Sequence, residues 1–305
     1  MGSGMIKRVT GLSALSRMLR KRYTGWEQPE PFLRGHYYSP LPDVDEVARD
    51  RDRVFFDERR DLPGVEMDVA GQKALLSELA ADFDSFDWPH EADGERRFYL
   101  GQGQFPMPDA LVLRGMLRRV KPKRLIEVGS GHSSALMLDV AEREMDVSPA
   151  FTFIDPNPER LRSVLRASDD DRCRVIEKRV QDVGVELFDE LGAGDVLFID
   201  SSHVCRTASD VNFLFFEVLP RLAVGVVVHV HDVAWPFEYQ ESWVMEGRAF
   251  NESYLLRAFL QFNRAFKVRL FTDQLVKQEG DWVGEVAPGL LGPVAGSIWM
   301  ERVGD

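Results

Sequence analysis

Acidic and imidazole side chains stand where apolar runs of the sequence end, and these residue types can accept a proton or bind a cation. Asp200 ends one such run and His203 follows it by three residues, while Asp232 directly follows His231 at the end of another. The unperturbed imidazole pKa of about 6.5 suits proton removal near neutral pH. An alcohol is a poor nucleophile at that pH, so attack by its oxygen requires a base, a metal ion or both. We therefore predict that Asp200, His203 and Asp232 are catalytic.

A glycine pair follows the first apolar run of the C-terminal two-thirds. Gly129 and Gly131 allow a tight turn and a close approach of the backbone to a ligand. A dinucleotide fingerprint would have a third glycine where Ser134 stands. Glu127 suits a ligand with an ammonium or sulfonium group better than a pyrophosphate, which an anion would repel. Asp155, at the end of the next run, can accept hydrogen bonds from both hydroxyls of a ribose.

Short apolar runs alternate with helical patterns after about residue 120. The predicted strands are Arg124–Val128, Phe151–Asp155, Cys173–Glu177, Val196–Asp200, Val224–His231, Phe266–Phe271 and Ser297–Arg302. The predicted helices are Asp109–Val120, His132–Arg143, Asn157–Ala167, Thr207–Leu219 and Asn251–Asn263. Alternation of this kind predicts an α/β fold with a mainly parallel sheet covered on both faces. Ligands of such sheets bind outside the carboxyl ends of the strands, where the candidate residues fall.

The motifs EVGSGHS, FIDP, VQD, VLFIDSSH and GVVVHVHD, in this order, resemble the class I S-adenosylmethionine-dependent methyltransferases over about residues 100–302. The segments HVHD, WPFEY and NESYLLRAFL are similar to those of bacterial small-molecule and sugar O-methyltransferases. The resemblance implies a doubly wound, Rossmann-like sheet of seven mostly parallel strands, the last of them antiparallel. It divides the chain into an N-terminal extension or cap, residues 1–100, and a methyltransferase domain, residues 101–305.

The same resemblance implies a cofactor site for S-adenosylmethionine. It implies that Glu127 and the turn Gly129–Gly131, with Ser130 at its centre, hold the amino-acid end of the cofactor. It further implies that Asp155 holds the ribose and Asp182 the adenine. Gln181 and Asp200 complete the cofactor-binding set.

The resemblance also assigns roles to the catalytic candidates. His203 takes the position of the general base, where catechol-type O-methyltransferases have a lysine. Those enzymes hold a divalent cation. Asp200 and Asp232 match two of its ligand positions, and His231 replaces the third, which is normally an oxygen donor. Since Mg²⁺ prefers oxygen ligands, a set with a histidine suits Mn²⁺, Fe²⁺ or Zn²⁺ at least as well. We interpret His229, deeper in the same strand, as a core histidine with a satisfied hydrogen bond.

The loop after Asp232 carries three alternating aromatic residues, Trp235, Phe237 and Tyr239. They either wall a substrate pocket or pin the loop to the core. The function predicted is O-methylation of a small molecule such as a sugar or a secondary metabolite. A nicotinamide-dependent oxidoreductase and a non-catalytic cofactor-binding or assembly protein are the alternatives.

Composition narrows the class of protein. The 305 residues include 38 Lys and Arg against 50 Asp and Glu, a net charge of -12, and 44% are hydrophobic. This balance is that of a folded globular chain, and it disfavours non-specific binding to nucleic acid. No apolar run approaches the roughly 20 residues of a membrane span. Two cysteines, Cys173 and Cys205, exclude a disulfide framework and fit a cytoplasmic location. A small-molecule substrate is the expected partner, and a homo-oligomer is left open.

Overall fold

The computed structural model describes residues 32, 34–56, 62–292 and 296–304. Its centre is one sheet of seven strands: β1 Arg124–Val128, β2 Ala150–Ile154, β3 Cys173–Ile176, β4 Val196–Ile199, β5 Val227–His231, β6 Phe266–Phe271 and β7 Ser297–Arg302. The strand order is β3-β2-β1-β4-β5-β7-β6. The five strands from β1 to β5 are parallel, and β7 runs antiparallel to both β5 and β6. The predicted α/β sheet with an antiparallel last strand is confirmed.

The order of the strands reverses direction at β1, which pairs with β2 on one side and with β4 on the other. Connections leaving β1 and β4 therefore diverge and open a crevice outside their carboxyl ends. Val128 aligns with Ile154 and with Ile199, so the three strands end at one level. This register brings Gly129, Asp155 and Asp200 to the same edge of the sheet.

The described helices are α1 Val44–Arg49, α2 Arg51–Phe55, α3 Val69–Ala80, α4 Met107–Val120, α5 His132–Glu144, α6 Glu159–Val164, α7 Asp210–Phe213, α8 Glu241–Met245, α9 Glu252–Leu260, α10 Thr272–Gln278 and α11 Gly280–Val286. None of these helices has both the length and the apolar character needed to cross a bilayer.

Alternate residues of each central strand supply two separate apolar cores. In β4, Val196 and Phe198 pack on one face, and Leu197 and Ile199 pack on the other. This is the two-residue period of an extended chain. Helices α3, α4, α5, α10 and α11 cover the first face, and α7 and α9 cover the second. Burial of one such aliphatic side chain contributes about 1.5–3 kcal/mol, so both faces hold the strand ends in place.

Three predicted elements begin two or three residues later than expected, each for a local reason. The helix predicted from Asn157 begins at Glu159, because the Asn157 backbone N–H donates to the Asp155 carboxylate at 2.8 Å. The helix predicted from Thr207 begins as α7 at Asp210, since Ala208 has a left-handed φ of 60°, and it continues as a π turn. The strand predicted from residue 224 begins only at Val227, after a turn at Gly225 with φ of 89°.

The described residues form two compact units, one that ends at Asp50 and one that begins at Arg51. The predicted boundary at residue 100 stays a prediction. In the larger unit, buried Arg97 binds Asp139 of α5 at 3.0 Å and Asp169 at 2.9 Å. Within the smaller unit, the Asp43 carboxylate accepts the backbone N–H of Asp45 and caps α1.

Candidate active site

The glycine turn after β1 passes close to the residue that ends β4. Gly129 has φ of 79°, and a Cβ placed on it would lie 1.9 Å from the backbone oxygen of Asp200. The Gly129 N–H donates to the carbonyl of Ile154 at 3.0 Å. Only glycine permits this packing, because the conformation and the approach both exclude a side chain. The turn is therefore held between the end of β2, by a hydrogen bond, and the end of β4, by close packing.

Asp155 organises the same turn from the end of β2. Its Oδ2 accepts hydrogen bonds from the backbone N–H and the hydroxyl of Ser130, both at 2.9 Å. The side chain is only partly buried. The carboxylate thus lies at the carboxyl end of β2, and its contact with a ribose stays a prediction.

Glu127 lies beneath the turn and is fully buried. Its two carboxyl oxygens accept hydrogen bonds from the hydroxyls of Ser133, at 2.5 Å, and Ser134. Burial raises the pKa of Glu127 to about 8, although the two hydroxyls oppose the shift. The group is therefore mainly protonated at neutral pH, and a cation bound beside it would favour the carboxylate.

The two residues predicted to contact the adenine lie after β3, and their side chains form hydrogen bonds with other residues of the protein. Asp182 is exposed and forms two hydrogen bonds with Arg179, at 2.7 and 2.8 Å. The Gln181 amide donates to the carbonyl of Ala208 at 3.0 Å, and its own oxygen is buried without a partner among the described residues. Adenine contact by this pair stays a prediction.

His203 is the centre of the second half of the crevice. Its Nε2 lies 3.4 Å from Asp200 Oδ1 and 3.3 Å from Asp232 Oδ2, and its Nδ1 lies 2.8 Å from Glu252 Oε2. The ring is 7% exposed. Burial lowers the pKa of His203, but the hydrogen bonds to Asp200 and Glu252 outweigh it and hold the pKa well above 6.5.

Two residues of this cluster adopt the left-handed backbone conformation. His203 has φ of 58° and Asp232 has φ of 56°. This conformation costs a residue other than glycine about 1–2 kcal/mol. Strain of this kind persists only where surrounding contacts hold it, and it is frequent at functional sites.

The described residues include a group suited to a cation, formed by Asp200, His203 and Asp232. One ligand atom of each lies within 4.8 Å of the others. Two carboxylates and an imidazole fit Mn²⁺, Fe²⁺ or Zn²⁺ better than Mg²⁺. The predicted set had His231 in place of His203, and His231 lies outside this group.

His231 and His229 face the core from β5. His231 stacks on Phe105 with ring centroids 5.2 Å apart, and its Nδ1 lies 3.4 Å from His229 Nε2. His229 stacks on Phe198 at 3.9 Å, and burial lowers its pKa well below 6.5. His229 is thus the core histidine that was predicted, although its Nδ1 has no partner within the described chain.

The three aromatic residues after Asp232 are all buried. Trp235 and Phe237 pack on Phe271, with ring centroids at 5.9 and 5.2 Å, and the Tyr239 hydroxyl accepts the backbone N–H of Ser253 at 2.9 Å. Of the two interpretations of these residues, this placement supports the one in which they pin the loop to the core.

A different aromatic residue, Phe250, lies beside the His203 imidazole. Its ring is partly exposed, and its centroid is 5.1 Å from that of His203. It contacts Trp243 of α8 at 5.8 Å. The residues from 241 to 250 carried no motif, so the sequence provided no signal for the contact between Phe250 and His203.

Glu252 and Asp109 are two further buried acids that sequence reasoning missed. Glu252 is 1% exposed and contacts His203 directly. Asp109, in the first turn of α4, is 3% exposed, and burial raises its pKa to about 6. Asp109 falls in a segment predicted simply as a helix. Glu252 falls in NESYLLRAFL, a segment that carries the resemblance but to whose residues no role was assigned.

Comparison with known proteins agrees with this geometry. Residues 126–233 match a family model described as a methyltransferase domain. A protein of Archaeoglobus fulgidus described only as uncharacterized is 28% identical over 165 residues, which are 52% of this chain and 73% of that protein.

Two solved structures show low similarity. The methyltransferase PaMTH1 of Podospora anserina, bound to S-adenosylhomocysteine, is 17% identical, with 88% of this chain and 99% of that chain covered and a TM-score of 0.42. The O-methyltransferase TomG of Streptomyces achromogenes, involved in tomaymycin synthesis and solved with S-adenosylmethionine, is 15% identical, with 79% and 92% covered and a TM-score of 0.42. At these scores neither likeness bears on function.

The family match begins within β1 and ends just after Asp232, so it contains the glycine turn, Asp155 and the group of Asp200, His203 and Asp232. The sheet that carries this segment has the predicted seven strands, with the last one antiparallel. Residues 126–233 therefore match a methyltransferase domain, and the sheet has the α/β fold that the resemblance implied.

Proposed function

We propose that this protein transfers a methyl group from S-adenosylmethionine to a hydroxyl of a small molecule, such as a sugar or a secondary metabolite. The observation that carries the proposal is the position of His203 between three carboxylates, at the sheet edge that also holds Gly129 and Asp155. An imidazole held there can take a proton from an acceptor that reaches the crevice.

The residues around the glycine turn suit the cofactor. Gly129 leaves room for a close approach, Asp155 offers a carboxylate to a ribose, and Glu127 offers a buried acid to an ammonium group. S-adenosylmethionine supplies a methyl carbon on a positively charged sulfur, which the acceptor oxygen attacks as the sulfur leaves. The hydroxyl proton goes to His203 Nε2, and the products are a methyl ether and S-adenosylhomocysteine.

The direct test incubates the purified protein with methyl-labelled S-adenosylmethionine and extracts of the source organism. Transfer of label to an oxygen is expected, and label on nitrogen or carbon contradicts O-methylation. Calorimetric titration with NAD⁺ addresses the oxidoreductase alternative: binding of NAD⁺ without binding of S-adenosylmethionine would reject the proposal.

We expect Asp155→Ala to weaken S-adenosylmethionine binding by about 1.5–3 kcal/mol, or roughly 10–150-fold in Kd. The change removes the acceptor proposed for the ribose and also releases Ser130. Calorimetric titration measures the affinity. Asp189→Ala is the matched control, because Asp189 is an exposed acid that precedes β4 and lies toward the opposite end of the sheet. An unchanged Kd for Asp155→Ala removes this residue from the cofactor site.

Binding of the cofactor at pH 7 is expected to release a proton from Glu127. The pKa of this carboxyl is about 8 in the free protein, so most molecules carry the proton, and a bound cation lowers the pKa. Affinity therefore rises as the pH increases toward 8. Calorimetry in two buffers with different ionisation enthalpies measures the release, and Glu127→Gln should abolish it. Heats that do not depend on the buffer would contradict a role for Glu127 as the counter-charge.

A further inference from the structure

The first turn of α9 holds the loop that carries His203. The backbone N–H groups of Asn251 and Glu252 donate to the carbonyl of His203, at 2.9 and 3.2 Å. Helix N-termini leave such donors unsatisfied, and here the strained residue itself accepts them. The Asn251 side chain accepts the backbone N–H of Cys205 at 2.5 Å and donates to the Cys205 carbonyl at 3.3 Å. Both ends of the short segment 203–205 are thus fixed to α9.

Both oxygens of the Glu252 carboxylate contact the loop that carries His203. Oε2 lies 2.8 Å from His203 Nδ1, and Oε1 accepts the hydroxyl hydrogen of Ser201 at 2.9 Å. The Ser201 hydroxyl oxygen in turn accepts the backbone N–H of His203 at 3.1 Å. The imidazole is therefore held through its ring and through its backbone by the same acid.

This contact decides which ring nitrogen is available for chemistry. A carboxylate can only accept a hydrogen bond, so Nδ1 must carry the hydrogen. The other nitrogen, Nε2, faces Asp200 and Asp232 at the longer distances of 3.4 and 3.3 Å, so it is the nitrogen that loses its hydrogen when the ring becomes neutral. Partners of this kind commonly fix the tautomer and the orientation of a working histidine.

We propose that Glu252 is a positioning residue that holds His203 with its hydrogen on Nδ1 and its Nε2 directed into the crevice. The consequence for turnover rests on the proposed function, whereas the tautomer does not. The role is the same whether Nε2 accepts a proton or binds a metal ion.

The experiment uses the full chain with ¹⁵N-labelled histidine. Long-range ¹H–¹⁵N spectra at a pH where the ring is neutral report which nitrogen bears the hydrogen. The wild type and Glu252→Gln are expected to show the Nδ1–H form, because a glutamine oxygen still accepts. Glu252→Ala is expected to show a mixture of both forms. Glu241→Ala is the matched control, since it removes the first-turn glutamate of α8, which binds Arg51 at the surface.

Turnover provides the second measurement. Glu252→Ala should lower kcat about 10–100-fold, the usual effect of losing such a partner, with the Kd of S-adenosylmethionine unchanged. Glu252→Gln should recover most of the loss. If Glu252→Ala does not fold, Glu252→Asp, which withdraws the carboxylate by one methylene, takes its place in both measurements.

A neutral His203 that keeps one tautomer in the alanine or aspartate variant would overturn the proposal. So would an Nε2–H form in the wild type. If no acceptor is ever methylated, the spectra still decide the role of Glu252, so failure of the proposed function and failure of this inference are distinguishable.

Discussion

Replacement of His203 by asparagine is expected to lower methyl-transfer turnover by about 10²–10⁴-fold, the usual contribution of a general base. Asparagine is the informative replacement, because it tolerates the left-handed backbone found at this position but cannot accept a proton near neutral pH. Affinity for S-adenosylmethionine should stay almost unchanged, since Glu127, Asp155 and the glycine turn are untouched. Steady-state rates with an identified acceptor and calorimetric titration measure the two quantities.

Turnover of the wild type is expected to increase with pH if His203 is the base. His203 acts as a base only after it loses its proton, and its carboxylate neighbours hold its pKa well above 6.5 against the effect of burial. Four ionisable groups surround it: Asp200, Asp232, Glu252 and His231. The rate should therefore rise with pH through a pKa above the ordinary value for histidine. His203→Asn should lack this rise.

Two controls sharpen the test of His203. His90→Asn replaces an imidazole outside the cluster and should keep full turnover. Exhaustive chelation distinguishes a role of His203 as a metal ligand from a role as a general base. Chelation would remove a metal held by Asp200, His203 and Asp232 and so abolish turnover, whereas turnover that depends on a metal-free base would not change. Full turnover of His203→Asn would remove this residue from the reaction.

Gly129→Ala is expected to destabilise the protein by about 2–5 kcal/mol and to abolish measurable cofactor binding. The new Cβ would lie 1.9 Å from the Asp200 carbonyl oxygen, which is backbone and has no alternative rotamer. The residue would also have to adopt φ of 79°. Either the turn or the end of β4 must move, and both line the crevice. Chemical denaturation and calorimetric titration measure the two effects.

Gly194→Ala separates the cost of the left-handed backbone from the cost of the close approach to Asp200. Gly194 has φ of 82°, nearly that of Gly129, but a Cβ there meets nothing within 4 Å. It should therefore cost only the conformational strain, about 1–2 kcal/mol, and leave cofactor binding intact. Equal destabilisation by the two substitutions would show that the close approach to Asp200 has no energetic role.

The strands were predictable because their signal is local. Arg124–Val128, Phe266–Phe271 and Ser297–Arg302 were placed with their exact bounds, since each is a run of apolar or alternating residues that one sheet can bury. The helices α3, α10 and α11 carried weaker patterns and were not predicted. The helix after Asp200 was predicted too long, because the left-handed turn at Ala208 depends on contacts that the sequence pattern does not express.

The fold class, the glycine turn and the acids at the strand ends could be inferred from the sequence, because parallel strands bring their carboxyl ends to one edge whatever the details of packing. Contacts between segments distant in the chain make His203 rather than His231 the third member of the possible cation site with Asp200 and Asp232, and they bury the three aromatic residues after Asp232 in the core. The same kind of contact sets the partner of the imidazole. Glu252 stands 49 residues after His203, and only the docking of α9 against the loop after β4 brings their side chains within 2.8 Å.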